Sequence, residues 1–129
     1  MEEEKFLIDS NIIIYYLDGK IPESHKEKLR DIFKTSFTIP TVSNIKILGW
    51  HKITEEDRIK TEHFLSNANV IYLDKTVEDK SIELKRKHNI ETPDSIIGAT
   101  AILNKLTLVT RNENDFKNIK EIKIYNPFK

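Results

Sequence analysis

The stretch Lys5-Phe6-Leu7-Ile8-Asp9-Ser10-Asn11 limits the fold of this chain more than any other. Phe6, Leu7 and Ile8 form a short, unbroken apolar run, the pattern of a strand buried on both faces of a parallel sheet. An acid, Asp9, ends the run. Ser10 and Asn11 then lead into a second apolar segment, Ile12-Ile13-Ile14-Tyr15-Tyr16-Leu17, and either suits a helix N-cap. The order is strand, acid, cap, helix. In open α/β sheets ligands bind outside the carboxyl ends of the strands. Asp9 is therefore a candidate site residue or, taken alone, a turn cap.

The rest of the chain repeats that alternation. Asp18 to Pro22 is a turn, and the charged stretch Glu23 to Lys34 carries Leu29, Ile32 and Phe33 at helical spacing. Phe37-Thr38-Ile39 reads as a strand stopped by Pro40. Thr41 to Trp50 reads as a helix capped by Thr41 and ended by Gly49. Thr54-Glu55-Glu56-Asp57 opens a further helix in capping-box style, with Ile59, Phe64 and Leu65 inward. Val70 to Leu73 is a strand, and Thr76 to His88 a charged helix whose apolar positions are Val77, Ile82 and Leu84. After a break at Asn89-Ile90-Glu91, Thr92 as N-cap and Pro93 at the first helical position start an almost wholly apolar helix, Ser95 to Asn104. Gly98, Ala99 and Ala101 are small enough to let it pack closely. Thr107-Leu108-Val109 is a strand followed by the polar loop Thr110 to Asn114, and Ile122 to Tyr125 is a fifth strand. Strands separated by helices imply right-handed crossovers, a parallel sheet and one domain over residues 1–129.

Composition removes several function classes. Apolar residues make up 38% of the chain and charged residues 33%, a highly charged globular composition. Lys plus Arg and Asp plus Glu both number 21, so no global positive field marks a nucleic-acid binder, and any such contact must be local. The absence of cysteine excludes a thiol nucleophile and a Cys-based zinc site. No apolar run reaches membrane-spanning length, and the acidic start Met1-Glu2-Glu3-Glu4 is unlike a signal peptide, so a cytoplasmic protein without a membrane partner is expected. His25, His51, His63 and His88 show no ligand spacing and read as surface residues. Three glycines leave no room for a Gly-rich phosphate loop.

Three acids occupy comparable places: Asp9 after the first strand, Asp94 in the first turn of the buried helix, and Asp115 after the fourth strand. Asp94 alone is explained by the helix dipole, and Asp115 alone by a loop or cap. An α/β sheet would bring all three to one crevice. Carboxylates gathered without basic partners repel one another, and a hard cation such as magnesium or manganese relieves that repulsion. Metal held this way supports phosphodiester hydrolysis. The expectation is that the three carboxylates converge within reach of one cation.

Three blocks carry a resemblance: Phe6-Leu-Ile-Asp-Ser-Asn-Ile-Ile-Ile-Tyr-Tyr-Leu17, Thr92-Pro-Asp-Ser-Ile-Ile-Gly-Ala-Thr-Ala101 and Leu108-Val-Thr-Arg-Asn-Glu-Asn-Asp-Phe116. Together, and in this order, they resemble the signature blocks of the PIN domain, most closely the VapC-type toxins of toxin–antitoxin pairs. The resemblance implies a three-layer α/β/α fold with a five-stranded parallel sheet and the first strand central. It implies a magnesium- or manganese-dependent endoribonuclease acting on RNA, a homodimer, and a VapB-type antitoxin inserting into the active-site groove. Asp9, Asp94 and Asp115 fall on the family's metal-site acids, Ser10 and Asn11 on the residues that buttress the first acid, and Thr110 and Asn112 on supporting positions.

One position departs from the pattern. The family carries a further Glu after the second strand, within a motif resembling Thr-Glu-Ile-Glu-Leu-Leu. Here Ser43-Asn44-Ile45-Lys46-Ile47-Leu48 stands in its place, so Asn44 replaces the acid. Asn44 can coordinate or orient water but carries no charge and is a poor base. The expectation is one weakly bound ion and slow or absent cleavage. The alternative is a catalytically impaired PIN-fold protein that acts by binding RNA or a protein partner. A phosphotransfer enzyme of the haloacid-dehalogenase or receiver kind also places an acid after its first strand, but Asn11 stands where the dehalogenase pattern needs a second Asp. Arg111 and Lys117 beside the crevice are the candidate RNA contacts, and Lys85 to His88 a solvated helix face. Tyr15, Tyr16 and Trp50 read as core or dimer contacts.

Overall fold

A computed structural model describes residues 3–129; Met1 and Glu2 of the acidic start lie outside the described residues. The order of elements is β1 (Phe6–Ile8), α1 (Ser10–Leu17), α2 (Glu23–Thr35), β2 (Thr38–Pro40), α3 (Thr41–Leu48), α4 (Glu55–Leu65), β3 (Asn69–Ile71), α5 (Lys75–Lys87), α6 (Thr92–Leu103), β4 (Thr107–Val109), α7 (Glu113–Phe116) and β5 (Ile124–Tyr125). All strand pairs are parallel, with Leu7 opposite Leu108, Leu108 opposite Ile124 and Ile39 opposite Val70.

The pleat divides the core into two. Phe6, Ile8 and Val109 point to one face, where they meet Ile12 and Ile13 of α1, Leu29 and Ile32 of α2, Ile47 of α3 and Leu65 of α4. Leu7 and Leu108 point to the other face, against Val77 and Leu84 of α5, Ile97 and Ala101 of α6, and Phe116. Helices on both faces give the three-layer α/β/α arrangement. Each fully buried Leu or Ile contributes about 1.5–3 kcal/mol, so the two clusters hold the β1–β4 ladder from both sides. Gly98 sets the second cluster's closest approach: a Cβ there would lie 3.0 Å from Ile122 Cδ1 and 3.5 Å from Leu84 Cδ1.

The strands do not form the single five-stranded sheet expected, and β1 is not its paired centre. Backbone pairing gives a three-stranded sheet in the order β1-β4-β5 and a two-stranded sheet of β2 and β3, with β4 in the middle of the larger. β1 still borders β2, but hydroxyls stand in for a backbone ladder along that seam. Phe6 N–H donates to Ser36 Oγ (2.9 Å), and Ser43 Oγ donates to Ile8 O (3.3 Å). With strands two or three residues long, one such substitution at each end satisfies the exposed edge of β1.

Boundaries shift by small steps. Asp9, not Ser10 or Asn11, caps α1, its carboxylate accepting from Ser10 N–H. Pro40 and Glu91 occupy the N-cap positions expected for Thr41 and Thr92. The two threonine hydroxyls are engaged elsewhere, Thr41 with Ile71 O and Thr92 with Lys85 Nζ. Thr54 caps α4 as expected, accepting from Asp57 N–H at 3.1 Å. Ile59, expected inward, lies on the outer face of α4 and is exposed, as is Ile82 of α5. β3 ends at Ile71, leaving Tyr72 and Leu73 exposed, and the segment expected to be loop after Thr110 contains the short α7. His25, expected to be a surface residue, is half-buried, with Nδ1 2.7 Å from Tyr125 Oη and Nε2 2.7 Å from Lys129 O. Among the described residues no helix is long and apolar enough to cross a membrane.

Candidate active site

The β1–β4 ladder runs one step past both strands: Asp9 N–H donates to Val109 O, and Thr110 N–H to Tyr125 O. This places Asp9 and Thr110 side by side at the carboxyl end of the sheet. Asp9 is 2% exposed. Its Oδ1 accepts from Ser10 N–H (2.8 Å) and its Oδ2 from Thr110 Oγ1 (2.8 Å). Thr110 Oγ1 in turn accepts from Asn112 N–H (3.1 Å). A buried carboxylate needs partners of this kind to remain charged at tolerable cost. Of the four expected supporting residues, Ser10 and Thr110 contact Asp9 directly and Asn112 through Thr110 Oγ1, whereas the buried Oδ1 of Asn11 has no partner among the described residues.

Asp94 approaches from the first turn of α6. It is half-buried, and its carboxyl is pushed above the usual range, first by burial, then by the charge of Asp115, with Asp9 and Glu91 adding to it and Lys46 of α3 opposing. That Asp115 and Asp9 both raise Asp94 is the electrostatic sign that each lies near it. Asp115 lies on α7 and is exposed. Asp94 and Asp115 line a common cleft of about 620 Å³ between the α5–α6 turn and α7.

Asn11 Oδ1 of α1 and Asn44 Oδ1 of α3 are the described side-chain atoms that are buried without a hydrogen-bond partner. An oxygen acceptor left in that state costs about 1–3 kcal/mol, and a cation or a bound donor removes the cost. Carboxylate and amide oxygens are the donor set that magnesium and manganese take. By that chemistry the residues fit such an ion. The expected convergence of three carboxylates on one cation is not realised, however: among the described residues no three His, Asp or Glu side chains stand close enough to hold a metal. Asp9 is already tied to its own hydrogen bonds with Ser10 and Thr110.

Arg111 of the site loop lies over two rings, its guanidinium 4.3 Å from the ring centre of Phe128 and 5.2 Å from that of Tyr15. Those contacts preorganise it. Lys117, the other expected RNA contact, is the exposed C-cap residue of α7 and does not line the cleft. Lys85, Lys87 and His88, read as a solvated face, do line it. The cleft also holds amides that were not singled out from the sequence, chiefly Asn89, Asn114 and Asn118. Asn114 and Asn118 flank Asp115 four residues apart, and that spacing was the available signal.

Residues 6–122 match the model of a family described as the PIN domain. A search of curated proteins gave no match. Among solved structures, a toxin–antitoxin complex from Klebsiella pneumoniae aligns with TM-score 0.78 and 25% identity, over 95% of this chain and 98% of that one. A DNA-bound VapBC complex from Salmonella typhimurium aligns with TM-score 0.80 and 25% identity, over 97% and 99%. FitAcB from Neisseria gonorrhoeae, at TM-score 0.75 and 19% identity over 95% and 98%, shares the fold.

Proposed function

The chain belongs to the PIN domain family, and we propose that it is a metal-dependent endoribonuclease, the toxin of a toxin–antitoxin pair. The observation that carries this reading is Asp94 raised partly by the charges of Asp115 and Asp9, with Asp9 at the carboxyl end of a parallel sheet. Asp9, Asp94 and Asp115 would hold magnesium or manganese, with the oxygen of Asn44 beside them. A divalent ion so held supplies an activated water and stabilises the charge that develops on a phosphodiester. Asp9, fixed by Ser10 and Thr110, keeps one ligand in place. Asn44 cannot accept a proton, so general-base help is absent at that position and cleavage is slow. Arg111 and Lys117 would contact RNA phosphates. The similar complexes from Klebsiella pneumoniae and Salmonella typhimurium support an antitoxin protein of the VapB kind as partner. A homodimer through the face that bears Ile14, Leu17, Ile45 and Trp50, all exposed, and a cytoplasmic location complete the reading.

A second reading rests on Asn44 alone: with that acid missing, the chain binds RNA or a protein without cutting. The test is an end-labelled single-stranded RNA incubated with the chain in magnesium, manganese or chelator. Internal cuts that need the ion, and that Asp94→Asn abolishes, are the expected result. If neither the chain nor its Asn44→Glu variant cuts in either ion, the nuclease reading falls and the binding reading takes its place.

A further inference from the structure

The cleft shared by Asp94 and Asp115 has more on its walls than a metal site requires. One wall is the end of α5 and the turn into α6, with Lys85, Lys87, His88, Asn89 and Glu91; the other is α7 and the residues after it, with Asn114 and Asn118. Between them lie two apolar side chains, half-buried Ile90 and fully buried Ile119. Its volume, about 620 Å³, falls within the roughly 300–1,000 Å³ of small-ligand sites.

These walls carry two lysines, three asparagines and three acids. Lys85 Nζ bonds to two neutral oxygens, Ile90 O (3.3 Å) and Thr92 Oγ1 (3.0 Å), so its position is fixed while its charge remains uncancelled. Lys87 pairs with Glu83 at 3.3 Å in full solvent, a contact worth little and easily exchanged for a phosphate. No side-chain hydrogen bond within the described residues engages the amides of Asn89, Asn114 or Asn118. Each amide offers both a donor and an acceptor, the combination that reads the edge of an unpaired base. Glu91, Asp94 and Asp115 stand among these groups, and a cation would offset their charge toward a phosphate.

We infer that this cleft is a nucleotide subsite that seats one base of single-stranded RNA beside the carboxylates, one face against Ile90, its edge on Asn114 and Asn118, and its phosphate at Lys85 and Lys87. This rests on the nuclease reading and adds to it where the strand lies and which residues choose the base. A duplex does not fit the assignment, because its base edges are already paired.

The test uses short fluorescent oligoribonucleotides of A, C or U, with binding followed by anisotropy in chelator. The unsubstituted chain is expected to prefer one of the three by about fivefold or more. The double change Asn114→Ala with Asn118→Ala should level that preference. Lys87→Gln should weaken all three alike and lower the slope of log affinity against log salt by about 0.7, the value for one phosphate contact on a single strand. All three positions are exposed, and circular dichroism checks that the variants fold. Equal affinity for the three oligonucleotides, or a preference and salt slope untouched by these changes, overturns the subsite. If the chain or its Asn44→Glu variant still cuts RNA with magnesium or manganese, that failure leaves the nuclease reading standing; if the chain does not bind and neither form cuts, both fall. If the variants instead lose affinity for a protein partner while base preference is unchanged, the cleft is a protein-docking site and the inference is wrong.

Discussion

Asp9 and Asp94 lie at the same end of the sheet and meet opposite environments. Asp9 is buried, each of its oxygens holds a hydrogen bond, and its backbone N–H extends the β1–β4 ladder. Asp94 is half-buried, accepts no hydrogen bond from a described side chain, and is pushed up by burial and by neighbouring acids. Asn44 and Asn11 resemble Asp94 in that their buried oxygens lack partners. One half of the crevice is completed by the fold, and the other by whatever binds there. A fixed ligand beside uncommitted ones suits a site that assembles around a cation, since the fixed half needs no reorganisation.

The largest expected effect comes from restoring a charge to the uncommitted half. A unit charge about 4 Å from a divalent ion is worth up to about 8 kcal/mol at an effective dielectric near 20, most of which desolvation offsets. If about 2.8 kcal/mol remains, Asn44→Glu tightens metal binding about 100-fold, and RNA cleavage rises with it. Manganese titration by calorimetry reads this directly. A change below about threefold would show that the missing acid is not what weakens the site.

The fixed half is tested by its hydroxyl. Thr110→Val keeps the volume but leaves Asp9 Oδ2 and Asn112 N–H without their partner. The expected loss is about 1–3 kcal/mol of folding stability, read as a shifted urea midpoint. Asp115→Asn, exposed and free of side-chain hydrogen bonds, should stay within about 0.5 kcal/mol. If the two variants unfold at the same urea concentration, the contrast between the halves is false.

The same contrast separates what was legible in the sequence from what was not. Every strand and every longer helix was visible, because buried runs such as Phe6–Ile8 and periodic ones such as Glu23–Thr35 are local signals. The three acids were placed at one sheet end because parallel strands put all their carboxyl ends there. Contacts between distant residues were not legible. Thr110 and Asp9 are 101 residues apart, and nothing local says that this hydroxyl holds that carboxylate. The seam between β1 and β2 was missed for the same reason, since Ser36 and Ser43 reach β1 from elements remote in sequence. Thr41 and Thr92 each missed the cap by one residue because a tertiary partner took the hydroxyl. The amides of the cleft carried one local signal, the four-residue spacing of Asn114 and Asn118 about Asp115, and the cavity is what separates them from solvated loop asparagines.

The smallest effect, and the finest test of the comparison, concerns the charge of Asp94 without metal. Two influences oppose each other. The N-terminal dipole of α6 favours a carboxylate in its first turn by about 0.3–1 kcal/mol. Burial and the charges of Asp115, Asp9 and Glu91 disfavour it, and the raised carboxyl says that they win, even with Lys46 opposing. The folded state then holds its proton to higher pH than the unfolded chain, whose value is near 3.8. Stability attributable to this group is fully present below that value and is lost as pH rises through the folded one. Asp94→Asn removes the loss. In chelator the variant should be slightly more stable than the unsubstituted chain at pH 7, and the difference should vanish near pH 3. Saturating manganese reverses the order, because a ligand that binds the folded state stabilises it by RT ln(1 + [L]/Kd), and the variant binds it less. Urea denaturation at the two pH values, with and without manganese, reads all four arms. An Asp94→Asn variant that is less stable than the parent at pH 7 in chelator would mean that the dipole wins, and that Asp94 belongs with Asp9 among the residues the fold itself satisfies.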